Sequence, residues 1–326
     1  MSAHSVQDRE PSEPGPSTAG RPPRAGSGSF IARHPVVTFF LWFYTVGQAL
    51  VFAPVIANAY GREWPMQWFV IASTLIGLLL PALLITWLVD GGPGLRRLWQ
   101  RVVRLRVGLG WYALALLGVP LVAAGFTVLI EGWPTSASAS TLLGALWPHF
   151  LLPFLVTFVP NNWWEEVAWM GFVQARLQSW RGPVVAALIS GPLFALQHIA
   201  LVVGNSVVVA GVLMGVTMVL AIPFRFLTGW FYNRTGSLFL VGLLHAAGNA
   251  VAGGSGFQAG YLRSLYPDSS IAGVAHLLAF AVAGLLALIA TRGRLGHVAG
   301  SDPGSFRWRD GEPHRREGQE WSRGGT

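Results

Sequence analysis

Asn161-Asn162-Trp163-Trp164-Glu165-Glu166 places two adjacent carboxylates inside a region that otherwise reads as continuous membrane-spanning helix. An ionised carboxylate in hydrocarbon costs a few kcal/mol at least, so membrane segments carry one mainly where it has a partner or a task. What these two acids could be working with decides how the rest of the chain is read.

The surroundings support a membrane setting. Of 326 residues, 52% are hydrophobic and 11% charged, and the mean hydropathy is +0.50. A soluble domain of this length carries roughly twice that charge fraction. Apolar runs of about 20 residues recur, which predicts an all-α fold, a polytopic membrane helical bundle. The chain has no cysteine, which excludes disulfides, thiolate metal ligands and a cysteine nucleophile. Its net charge of +8 rests on arginines in loops and tails. These read as topology signals and contacts to membrane lipids, with no nucleic-acid partner.

Residues 1–33 are rich in Pro, Gly, Ser and Arg and are expected to form a disordered cytoplasmic tail. They lack the design of a cleaved signal peptide. The transmembrane domain, residues 34–292, is expected to hold about eight helices, at 36–58, 67–89, 111–130, 141–178, 183–203, 206–223, 236–252 and 271–290. After the second, Asp90-Gly91-Gly92-Pro93-Gly94 breaks the helix. Leu95, Leu98, Trp99, Val102 and Leu105 then face away from Arg97, Arg101 and Arg104, as in an interfacial amphipathic helix. That arginine-rich loop marks the cytoplasmic side. Arg176 and Arg181, Arg225 and Arg234, and Arg292 and Arg294 then fall on the same side. The expected protein is multi-pass in the cell membrane, with both termini cytoplasmic. Its Arg-only, Gly/Ala-rich composition looks bacterial. Residues 293–326 are expected to be a second disordered cytoplasmic tail. No internal repeat suggests an inverted-repeat transporter.

Depth singles out further residues. Glu165 lies eleven residues before Arg176, and His245 eleven after Arg234, about 16 Å along a helix in each case. His198 lies fifteen residues into the segment that starts at Pro183, about 22 Å. All three share one band near the middle of a ~30 Å hydrocarbon core. His245 and Asn249 are i,i+4 neighbours separated by small residues, and Phe194 and His198 have the same spacing. His149 and His276 have no matched partner and read as packing or interfacial residues.

The run 141–178 would reach about 57 Å as one helix. A break at mid-membrane is therefore expected at Pro160-Asn161-Asn162, with Asn162 capping a new helix whose third position is Glu165. The plain alternative is two acids in a first helical turn, favoured by the macrodipole, and a His–Asn pair that only joins two helices. The shared depth of two histidines and a carboxylate favours chemistry. Glu165 is the candidate general base and His198 would hold or polarise a water. His245 and Asn249 would donate to the oxyanion on a peptide carbonyl. Glu166, on another face, is expected to orient the site or pair elsewhere, with Phe194 in support.

At this point the residues resemble the CAAX prenyl endopeptidase and Abi (CPBP) intramembrane proteases. That family carries Glu-Glu-x-x-x-Arg, then Phe-x-x-x-His, then His-x-x-x-Asn/Asp/Ser. Here these are Glu165-Glu166-Val167-Ala168-Trp169-Met170, Phe194-Ala195-Leu196-Gln197-His198 and His245-Ala246-Ala247-Gly248-Asn249. The resemblance covers about residues 140–290 and implies proteolysis of a membrane-anchored or C-terminal peptide. Met170 stands where the family has arginine, which leaves Glu166 without an obvious cation, and Arg176 reads as interfacial. No cofactor is demanded. If Zn were present, Glu165, His198 and His245 would be its ligands, but no His-Glu-x-x-His helix occurs and metal-free chemistry is preferred. Two other readings stand beside the protease: a non-catalytic scaffold or bacteriocin-immunity membrane protein, and a transporter with an intramembrane proton site.

Overall fold

A computed structural model of the chain describes residues 29–134, 138–252 and 260–297. The expected tails lie mostly outside these residues. The architecture is a helical bundle of α1 (Pro35–Ala59), α2 (Met66–Val102), α3 (Leu109–Glu131), α4 (Ala139–Leu196), α5 (Val207–Thr235), α6 (Leu238–Ala252), α7 (Tyr261–Leu265) and α8 (Ala275–Ala290). Helices α1 to α5 are long and apolar enough to cross a membrane, and α6 and α8 are shorter apolar helices. In hydrocarbon a helix satisfies its own backbone groups, which is why such runs fold this way.

Two long helices are kinked where glycine takes a positive φ, Gly91 at 66° in α2 and Gly182 at 78° in α4. Divided at Gly182, α4 supplies two apolar legs, and the apolar segments then follow the expected order. The second leg ends at Leu196, short of the expected Val203. His198 sits just past it, at the start of a single 3-10 turn, Ile199–Val202.

The expected break at Pro160-Asn162 is not there. Residues 158–162 form a wide i→i+5 turn inside a continuous helix, Asn162 has helical φ/ψ of −61° and −33°, and its side chain caps nothing. A π turn absorbs the donor that proline removes, so the helix widens instead of stopping. A second wide stretch, residues 167–174, follows the acidic pair directly.

One end of the bundle is rich in arginine. There Arg176 pairs with Asp90 at 2.7 Å, Arg101 Nη1 donates to the Tyr232 hydroxyl at 2.7 Å, and Asn233 Nδ2 donates to the Leu295 carbonyl at 3.0 Å. At the other end Tyr261 and Tyr266 donate to the carbonyls of Leu142 and Gly132. Two expectations fail at the arginine-rich end. Arg176 is buried, with its guanidinium stacked 3.8 Å from the Phe172 ring centre. The segment after Gly91 docks on the bundle, because Leu98, Arg101 and Val102 are all buried while Arg96, Trp99, Gln100 and Val103 face out.

Helix α6 sits at the centre. Every residue of it is buried except Phe239 and Asn249, which are half-buried. That suits a helix apolar on all faces. It reaches α4 through Gly242, where an added Cβ would lie 2.9 Å from the Trp163 Cα and 3.2 Å from the Phe158 ring. This close approach brings His245, one turn on, against the acids that follow Trp163. Gly242→Leu is expected to lower the melting temperature in detergent, with an overpacking cost of about 1–3 kcal/mol. Gly211→Leu, where nothing lies within 4 Å of the added Cβ, should leave it nearly unchanged.

Candidate active site

Glu165 and Glu166 are neighbours on α4, yet they meet different surroundings. Glu165, 3% exposed, accepts from Asn162 Nδ2 at 3.1 Å on Oε2 and from the Gln197 carboxamide on Oε1. Glu166 is fully buried and pairs with Arg225 Nη1, at 2.9 Å through Oε2 and 3.2 Å through Oε1. Successive helical residues point about 100° apart, so one acid faces the interior space and the other faces α5.

His245 lies between them. Its Nδ1 is 3.1 Å from Glu166 Oε1 and 3.8 Å from Glu165 Oε2. A proton on Nδ1 would be accepted by the Glu166 carboxylate and would leave Nε2 as the ring's acceptor. Asn249, one turn along α6, donates from Nδ2 to Asn162 Oδ1 at 3.4 Å.

The second leg of α4 brings Phe194, Gln197 and His198. Phe194 is the aromatic floor: its ring centre is 5.3 Å from that of His198 and 5.8 Å from that of His245. Trp169 and Phe224 hold it edge-on and tilted, at 5.5 and 5.2 Å. Gln197 links the two halves. Its carbonyl accepts from Trp169 Nε1 at 2.6 Å, and its amide nitrogen donates to Glu165 while lying 3.4 Å from His198 Nε2.

A cavity of about 320 Å³ is lined by Glu165, His198, His245 and Asn249 together. The four residues chosen for chemistry from depth and spacing thus share one space, with Phe194 at its wall. Glu166 stands behind, outside the lining. The rest of the lining is largely apolar and includes Val51, Leu78, Leu201, Met214 and Leu220.

Two sequence expectations change here. Glu166 does have a cation, and it is Arg225. That arginine was taken as an interfacial marker but is fully buried, with Nε donating to Gln174 Oε1 at 2.8 Å. The same depth rule would have found it, because Arg225 lies nine residues before Arg234, about 13 Å inward. His276, read as packing or interfacial, is a buried packing residue that also lines the cavity. Gln197, which bridges base and histidine, gave no signal beyond its place beside His198.

The zinc alternative does not fit. Among the described residues no group of three or more His, Asp or Glu side chains is placed to hold a metal ion. His245 Nδ1 is also taken, since it faces Glu166 Oε1.

Residues 145–251 match the family described as type II CAAX prenyl endopeptidase, Rce1-like. No curated protein and no solved structure matches the chain. The matched segment runs from the wide turns of α4 to the end of α6 and contains every residue of the acid–histidine–asparagine cluster, so through residues 145–251 the chain is similar to the type II CAAX prenyl endopeptidases.

Proposed function

We propose that the protein is an intramembrane endopeptidase that hydrolyses a peptide bond of a membrane-associated or C-terminal peptide by glutamate-activated water. The observation that carries this reading is the convergence of Glu165, His198, His245 and Asn249, from two helices and the turn after α4, on one largely apolar cavity.

The chemistry follows from what each group has free. Gln197 Nε2 contacts both Glu165 and His198, so the two side chains are close enough for one water in the cavity they both line to reach them. Glu165 takes a proton from that water as its oxygen attacks the scissile carbonyl. Negative charge develops on the carbonyl oxygen, towards which Asn249 Nδ2 donates, with His245 beside it on the wall of the same cavity. The C–N bond then breaks and Glu165 returns the proton to the leaving amine. Water is consumed, one acid and one amine are formed, and the enzyme is restored.

The apolar lining suits a substrate held by a lipid or an apolar chain beside the scissile bond. The arginine-rich end supports entry from the cytoplasmic side, with the protein in a bacterial cell membrane and both termini cytoplasmic. The scaffold alternative drew its support from the missing arginine at position 170. It loses that support because Arg225 supplies the charge.

The test is cleavage of a farnesylated reporter peptide ending in a CAAX tetrapeptide, and of the same peptide without farnesyl, by protein in lipid nanodiscs. Glu165→Gln is expected to abolish cleavage while the protein stays folded and inserted. Failure of the wild type on both peptides, or undiminished turnover in Glu165→Gln, would overturn the reading. Asn249→Ala is expected to lower kcat by about 10²–10³-fold with little change in KM, the signature of an interaction made in the transition state.

A further inference from the structure

Arg225 belongs to no motif of the acid–histidine–asparagine set, yet it is among the largest fully buried side chains of the described residues. Its guanidinium is used on every side. Nη1 contacts both oxygens of Glu166, Nε donates to Gln174 Oε1, and Nη2 lies 3.8 Å from Met170 Sδ. The rings of Phe194 and Phe224 flank it, with centres 5.5 and 5.6 Å from Cζ. Gln174 is fixed in turn, since its Nε2 donates to the Arg225 carbonyl at 3.0 Å and its Oε1 accepts from Ser190. So much packing around one guanidinium, none of it open to solvent, assigns the group a fixed position.

We infer that Arg225 is the positioning residue of the site: it keeps Glu166 ionised, so that Glu166 holds the His245 proton on Nδ1 and leaves Nε2 facing the cavity. The sulfur contact adds that positions 170 and 225 address the same point from facing helices. A cation can therefore reach Glu166 from either helix, and here it comes from α5. Without the guanidinium Glu166 would be an uncompensated buried charge, which proteins relieve by neutralising the group. A neutral carboxyl no longer fixes which ring nitrogen of His245 carries the proton.

The activity arm of the test rests on the endopeptidase reading, and the spectroscopic arm does not. Full-length protein in nanodiscs, labelled with ¹⁵N-histidine, is compared as wild type, Arg225→Met, Arg225→Lys and the swap Met170→Arg/Arg225→Met. The His245 ring signals are assigned by their loss in His245→Gln. The wild type is expected to show a single Nδ1–H form of His245 over a broad pH range. Arg225→Met should show mixed tautomers and a displaced titration, with cleavage of the farnesylated peptide lowered about 10–100-fold, the range typical of groups that orient a reacting residue. Arg225→Lys should fall between the two. The swap should restore the Nδ1–H form and recover cleavage to within about tenfold of wild type.

An unchanged His245 signal in Arg225→Met overturns the inference. So does a swap that behaves no better than Arg225→Met. If Arg225→Met does not fold, the swap must recover folded protein with the wild-type His245 signal, and its failure to do so also overturns the inference. Loss of the endopeptidase reading would show separately, as cleavage that does not depend on Glu165.

Discussion

The ion pair between Arg225 and Glu166 is the interaction on which the rest of the site depends. Both side chains are fully buried. Removing one partner of such a pair typically costs about 3–5 kcal/mol, because the other is left as an unpaired charge. The attraction is not a net gain in stability, since desolvating two ions consumes most of it. Its value is positional. The pair closes α4 onto α5, and Oε1 of Glu166, shared with Arg225, also faces His245 Nδ1 on α6, so three helices share one charged contact.

That arrangement divides the labour between two adjacent acids. Glu166 carries the structural charge balance, and Glu165 holds its oxygens with amides from Asn162 and Gln197. Amide donors support a carboxylate without cancelling its charge, which leaves Glu165 able to accept a proton. Helix α4 makes the division possible by widening on both sides of the acids, at residues 158–162 and 167–174. Wide turns of this kind are frequent at functional sites, where they turn side chains away from the regular helical register. Gly242 does the complementary work on α6 by letting that helix sit against the backbone of Trp163.

Much of this was legible in the sequence, and for a physical reason. A polar group in a membrane helix is costly, so Glu165, His198 and His245 stood out, and rise per residue placed them at one depth. The order of apolar segments followed from hydropathy alone. The break at Pro160 was misread because proline forbids one hydrogen bond but not a π turn. Arg225, Arg176 and Arg101 were misread because arginines near helix ends were assigned to the interface. All three are buried against partners, Glu166, Asp90 and Tyr232, contributed by other helices. Pairing across helices is a tertiary property, and no local pattern announces it.

The most direct measurement is an experimental structure of the protein bound to a farnesylated peptide phosphinate, whose tetrahedral phosphorus copies the addition intermediate. The account predicts one phosphinate oxygen on the Glu165 carboxylate and the other within hydrogen-bond reach of Asn249 Nδ2, with Glu166 still paired to Arg225. A phosphinate bound outside this cavity, or bound in it beyond the reach of Glu165, would contradict the account.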